Sequence, residues 1–236
     1  MNLLIDALIK LKAPYDDNTI GLFQSYMEQI LEWNEKVNLT SITDKEGFIK
    51  KHFVDSITCY DAFQYQEANK IIDIGTGAGF PGIPLAIISP EKSFVLVDSL
   101  KKRLNIIDEI AKGLGIQNVT LCHGRAEDLA RSKEHREQYD LCLSRAVANL
   151  NVLSEYCLPF VRVGGWFGAY KSKNAEEELN SSKSAIKKLS GSIEEIKNFE
   201  MNGYDLDHNI IFIKKTTKSL AKYPRKAGTP AKEPLK

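Results

Sequence analysis

Three glycines at alternate positions, Gly75, Gly77 and Gly79, stand directly behind a short apolar run that closes on an acid, Asp73, in "IIDIGTGAGFPGIPLAI" at 71–87. Glycines so spaced let a backbone adopt positive φ and approach a ligand that a Cβ would hold away. The chemistry this permits is the binding of a nucleotide-like molecule where a strand turns into a helix. Two commoner versions of that chemistry are excluded by the residues that follow. The dinucleotide fingerprint G-x-G-x-x-G/A, counted from Gly75, meets Phe80 at its last position, which disfavours a nicotinamide-dependent oxidoreductase. No Gly-Lys-Ser/Thr follows either, so the loop is not a P-loop. A second acid, Asp98, ends the run "FVLVDS" with Ser99 behind it. A carboxylate there accepts hydrogen bonds from paired ribose hydroxyls. It could also cap the helical stretch "SLKKRLNII", and the two roles can share its two oxygens.

These residues need a scaffold that brings loops together, and the rest of the chain supplies the pattern. Positions 1 to about 63 show helical periodicity, with Leu4, Leu8 and Leu11 on one face and Ile20, Phe23, Met27 and Ile30 on another. "TDKE" at 43–46 fits a capping box ahead of Phe48, Ile49 and Phe53. From position 70 the texture changes to seven short β-rich runs, "KIIDI", "SFVLVD", "NVTLCH", "YDLCLS", "GWFGAYK", "IEEIKNF" and "NIIFIKK", separated by segments of helical length. Such alternation predicts an α/β fold, a mostly parallel sheet covered by helices on both faces, with one of the last two strands antiparallel. The expected organisation is a helical extension at 1–65, an α/β domain at 66–215 and a basic tail at 216–236.

Composition narrows the class. With 43% hydrophobic residues, 236 residues can bury a large core. No run reaches the roughly 20 apolar residues of a membrane span, and Asp6 and Lys10 interrupt the opening segment, so a cytoplasmic protein is expected; a monomer is the expected state. Cys59, Cys122, Cys142 and Cys157 lack C-x-x-C spacing, and the four histidines form no ligand pattern, so neither a metal site nor a disulfide framework is expected. The net charge of +1 hides an asymmetry: from Lys214 to Lys236 eight basic residues face Glu233 alone. A basic, proline-punctuated tail on a near-neutral body points to a polyanionic partner.

The acid-x-Gly-x-Gly-x-Gly loop resembles the first motif of Rossmann-like class I S-adenosylmethionine-dependent methyltransferases. Further stretches resemble one family in particular, the bacterial small-subunit ribosomal RNA guanine-N7 methyltransferases, also called glucose-inhibited division protein B. They are "WNEKVNLT" (33–40), "HFVDS" (52–56), the glycine loop, "VDSLKKR" (97–103), "GRAE" (124–127), "SRAVANL" (144–150) and "YPRKAGTPAKEPL" (223–235), in family order over nearly the whole chain. The resemblance implies a seven-stranded class I methyltransferase, S-adenosylmethionine as donor, and N7 of guanine 527 in 16S rRNA, free or in an assembling 30S subunit, as acceptor. It implies Gly75, Phe80, Ala126, Glu127 and Arg145 as cofactor contacts beside Asp73, Gly77, Gly79, Asp98 and Ser99, with Glu127 or Asp128 at the base edge. A ribosome-assembly RNA-binding protein without turnover is the alternative reading.

The acceptor chemistry agrees with the residues. Guanine N7 offers a lone pair and carries no proton, so transfer to it needs no general base. "YDLCLS" is followed by Arg145 rather than by the Asn/Asp-Pro-Pro-aromatic run of amino methylases. An arginine cannot serve as a base, but it can hydrogen-bond a cofactor carboxylate, guanine O6 or a phosphate. Arg145 is therefore the expected catalytic contact. RNA contacts are expected at Lys171 and in the tail, where Tyr223 would stack on a base and Arg225 and Lys226 would meet phosphates. On this reading, loss of residues 222–236 weakens RNA binding and leaves cofactor affinity nearly untouched.

Overall fold

The computed structural model describes all residues except 146–147, 173–174, 200–203 and 205–207. Ala146 and Val147 of "SRAVANL" thus lie outside the described residues. All seven β-rich runs are strands: β1 Lys70–Ile74, β2 Ser93–Asp98, β3 Val119–His123, β4 Tyr139–Arg145, β5 Val161–Ser172, β6 Gly191–Phe199 and β7 His208–Lys215. They form one sheet in the order β3-β2-β1-β4-β5-β7-β6. The first five pair in parallel, and β7 runs antiparallel to both β5 and β6. Strand order reverses between β1 and β4, which opens a crevice beyond their carboxyl ends.

Side-chain alternation along the strands divides the interior into two cores. On β4, Leu141 and Leu143 face one core and Cys142 the other. On β7, Ile210 and Phe212 face the first, Ile211 and Ile213 the second. The first core is covered by α6 (Gly82–Ile88), α7 (Lys101–Gly113) and the amino-terminal helices α1 (Asn2–Lys10) and α2 (Asp17–Asn34). The second is covered by α9 (Leu150–Cys157) and α10 (Ala175–Lys188), with the ring of Tyr223 from the tail inserted among them. Two short helices, α8 (Ala126–Leu129) and α11 (Thr229–Lys232), lie near one edge of α9.

The amino-terminal segment departs from the expected cap. Helix α3 (Lys45–Phe48) begins one residue later than a Thr43 capping box requires, because the carboxylate of Asp44 accepts the Gly47 amide at 2.6 Å. Helix α3 then continues without a break through a π-helical stretch, Ile49–Val54, into α4 (Asp55–Ile57), and α5 (Phe63–Gln66) leads to β1. Widened π turns recur at functional positions, and this one carries His52 and ends beside Asp55.

Candidate functional site

Strand β1 delivers its glycine loop to the crevice with Gly75, Gly77 and Gly79 all at positive φ, +74°, +59° and +84°. The amides of Gly75 and Thr76 both donate to the Val97 carbonyl, at 2.9 and 3.0 Å, so the loop is tied to the end of β2. Asp73 braces it from below. Its Oδ2 accepts the Thr76 hydroxyl at 2.7 Å and the Gly82 amide at 3.0 Å, while Oδ1 has no hydrogen-bond partner among the described residues. Burial pushes its pKa up to about 6, against the lowering effect of those two hydrogen bonds. Asp73 shapes the loop and does not line the cavity, contrary to its expected place among the cofactor contacts.

The glycines serve different ends. A Cβ at Gly77 would meet nothing within 4 Å and would project into open space, and Gly77 lines the cavity described below. A Cβ at Gly79 would lie 2.3 Å from the Tyr26 hydroxyl oxygen and 2.7 Å from Ile83. Gly79 is therefore a packing requirement of helix α2, whose buried Tyr26 donates its hydroxyl to Ala78 O at 2.8 Å, and it does not line the cavity described below. Phe80 is likewise turned away from the cavity. Its ring stacks on His52 at 4.5 Å, meets Tyr26 and Phe48 edge-on, and lies under the Arg145 guanidinium.

A cavity of about 520 Å³ lies beyond the strand ends, a size suited to a small-molecule ligand. It gathers Gly75, Gly77, Asp98, Ser99, Ala126, Glu127 and Arg145 from the expected residues. Asp98 accepts the Gly77 amide on Oδ2 at 3.0 Å and the Leu100 amide on Oδ1 at 2.8 Å, so each oxygen is oriented and retains a lone pair. Leu100, not Asp98, occupies the N-cap position of α7. Glu127, in the first turn of α8, is buried and accepts the Gly228 amide at 2.8 Å. Leu100, Arg103, Arg125, Tyr156 and Gly228 also line the cavity. Arg103 and Gly228 sit inside stretches already singled out, but nothing in their spacing marked them as lining residues.

Arg145 ends β4 and is held on one side only. Its guanidinium donates to Lys51 O at 2.8 Å, to Asp55 Oδ2 at 2.5 Å and to His52 Nδ1 at 3.2 Å. Three of five N–H donors are thus committed, and the other two have no partner among the described residues. Since His52 Nδ1 faces a donor, the imidazole is neutral and gives its Nε2 proton to Thr40 Oγ1, 2.7 Å away. Burial and then the Arg145 charge hold its pKa down to about 4. Asp55 opposes the effect of its own burial through His208 and Arg145, and stays an ionised carboxylate with its pKa below the usual value. The helical segment thereby braces Arg145, which lines the cavity, from behind.

The expected RNA contacts divide similarly. The Lys171 ammonium donates to Ala148 O at 2.6 Å and Glu178 at 2.7 Å, which fastens α10 to the chain ahead of α9. The Tyr223 ring is 7% exposed and offers no face to a base. Arg225 is engaged by fully buried Glu155 through four hydrogen bonds of 2.7–3.2 Å, one of them from its own amide. Only Lys226 stays exposed. The tail is docked along the body, and its Gly228 lines the same cavity as Gly77 and Asp98. Among the described residues no cluster of three or more His, Cys, Asp or Glu could hold a metal, and no helix is long and apolar enough to cross a membrane.

The strand order, the switch-point cavity and its glycine loop define a Rossmann-like class I methyltransferase fold. Among solved structures, an O-methyltransferase from Bacillus cereus in complex with SAH superposes with a TM-score of 0.56 at 18% identity, over 86% of this chain and 92% of that one. A ribosomal protein L11 methylase from Lactobacillus delbrueckii subsp. bulgaricus superposes with a TM-score of 0.52 at 14% identity, over 71% and 79%. Residues 19–210 match the family model described as rRNA small subunit methyltransferase G. The chain is 50% identical over 222 residues to a protein of that name from Clostridium tetani, covering 94% of this chain and 93% of the relative. It is 45% identical over 234 residues to one from Alkaliphilus metalliredigens, covering 99% and 98%. The chain belongs to the GidB family, the rRNA small subunit methyltransferases G.

Proposed function

We propose that this protein transfers a methyl group from S-adenosylmethionine to N7 of a guanine in 16S rRNA, in the cytoplasm where the small subunit assembles. The observation that carries the reading is the Gly77–Asp98 pair. Bare left-handed backbone opens on the cavity, and a carboxylate fixed by two amides retains acceptor capacity beside it. This fits an adenosine-containing ligand, with ribose hydroxyls at Asp98 and the adenine amino group at Glu127. Cavity-lining arginines Arg103, Arg125 and Arg145 could receive a carboxylate.

When bound, S-adenosylmethionine supplies an electrophilic methyl group on a sulfonium. The chain's part is orientation. Asp98 and the glycine loop hold one end of the ligand, and Arg145 directs its two remaining donors to the ligand carboxylate or to guanine O6. Such alignment lowers barriers by up to about 7–11 kcal/mol in well-oriented intramolecular models. Arg145 cannot remove a proton, which suits a ring nitrogen that has none to lose. Asp55 and His52 hold the guanidinium in place.

The test is mass mapping of 16S rRNA from cells with and without the protein, then transfer to 30S subunits from the deficient strain. A single methyl on guanine N7 is expected, at position 527 as the sequence resemblance implies. Transfer to another atom refutes the acceptor assignment. Binding without any transfer supports a non-catalytic assembly protein instead.

A further inference from the structure

Residues 216–236 are strapped to the body by contacts that converge on the cavity wall. Arg136 donates to the carbonyls of Ser219, Leu220 and Tyr223 at 3.1, 3.2 and 2.9 Å, and Arg131 to that of Pro224 at 2.5 Å. Both arginines belong to the connection that begins with α8, the helix carrying Glu127. On the other side Arg225 is locked to Glu155, whose neighbour Tyr156 lines the cavity. Between these fastenings Gly228, left-handed at φ +84°, presents its amide to Glu127. Beyond it, Asn151 on α9 donates to Leu235 O at 3.2 Å.

A buried carboxylate with a single internal hydrogen bond is a poor recognition group unless its orientation is set. The Gly228 amide sets it, occupying Oε1 and leaving Oε2 as an acceptor.

Resting on the cofactor reading above, we propose that the carboxyl-terminal strap is a positioning element of the S-adenosylmethionine site. Gly228 orients Glu127, the Glu155–Arg225 pair latches the strap, and cofactor binding and strap docking are thermodynamically coupled. Coupling of this kind is reciprocal: a ligand that prefers the docked state must itself hold the strap down. The strap also carries exposed Lys222 and Lys226, so a polyanion engaging them acts on the same equilibrium as the cofactor.

Two measurements test this, with S-adenosylhomocysteine as the probe. In the intact protein, trypsin cleavage at Lys222 and Lys226 is followed with and without saturating probe, and slowing by about tenfold or more is expected. In parallel, calorimetric Kd is compared for the full chain, a chain ending at Lys222, and the double variant Glu155→Met/Arg225→Met, which leaves no unpaired buried charge. An increase of tenfold or more is expected in both variants, with the melting transition retained in the second. Cleavage unaffected by the probe, or wild-type affinity in a folded variant, overturns the coupling. If truncation merely unfolds the chain, the protection experiment on the intact protein decides. Failure of the probe to bind the intact chain overturns the cofactor reading together with the proposal, whereas binding without protection overturns the proposal alone.

Discussion

Replacing Gly77 and Gly79 by alanine, one at a time, should damage two different properties, although the residues are two positions apart in one loop. At Gly79 the new Cβ lies 2.3 Å from the Tyr26 hydroxyl oxygen and 2.7 Å from Ile83 Cγ1, and φ is +84°. Left-handed backbone costs an L-residue about 1–2 kcal/mol. The clash displaces a fully buried tyrosine from its 2.8 Å bond to Ala78 O, and orphaning such a group costs about 1–3 kcal/mol. Partial relaxation of the overpacked site keeps the total near 3–5 kcal/mol. At about 2–4 °C per kcal/mol for a chain of this size, the melting temperature should fall by roughly 6–20 °C. At Gly77 nothing lies within 4 Å of the new Cβ, so only the backbone strain of about 1–2 kcal/mol applies to the fold. The methyl group projects instead into the ligand's space and should raise the Kd for S-adenosylhomocysteine at least about tenfold, or 1.4 kcal/mol. Calorimetric titration and thermal unfolding on both variants provide the assay. Equal destabilisation by the two substitutions, or wild-type affinity in Gly77→Ala, refutes the division of labour between the glycines.

Asp98→Ala removes an oriented acceptor and a tie to the glycine loop, and cofactor binding should weaken by about 1.5–3 kcal/mol; an equal loss with a 2′,3′-dideoxy analogue rules out the ribose role. Asp73, with its pKa raised from 3.8 to about 6, holds its proton in the folded state between those values after the unfolded chain has released it. The Asp73 contribution to ligand-free stability should therefore fall as pH rises from about 4 to about 6, by up to about 3 kcal/mol, and the difference between wild type and Asp73→Asn in urea titrations should change by that amount across the window. His52 acts in the opposite sense. With its pKa lowered from 6.5 to about 4, its contribution is complete above pH 6.5 and is lost as pH falls towards 4, so His52→Gln should remove a rising slope over that window. Arg225→Ala strands buried Glu155 and should cost about 3–5 kcal/mol of stability, whereas Lys226→Ala should leave stability alone and flatten the salt dependence of rRNA binding by about 0.7–0.9 log units. A stability loss in the Lys226 variant, or none in the Arg225 variant, reverses those assignments.

The strands, their number and the ligand loop were legible in the chain because each rests on local information. Parallel strands buried on both faces read as apolar runs, and a loop that must take positive φ declares itself by glycine. Asp98 was equally plain, since an acid at a strand end faces the crevice whatever packs behind it. What distance along the chain conceals is which partner claims a residue. Gly75, Gly77 and Gly79 look equivalent in sequence, yet Tyr26, on a helix remote in the chain, makes Gly79 a packing residue. Phe80, implied as a cofactor contact, is claimed by His52. Arg225 and Tyr223 carry the composition of a nucleic-acid contact, but buried Glu155 and the second core absorb them. A side chain's chemistry is set by its type, which the chain displays. Whether that chemistry is spent internally or left for a ligand depends on groups brought within a few ångströms from remote positions, and only the tertiary structure decides it.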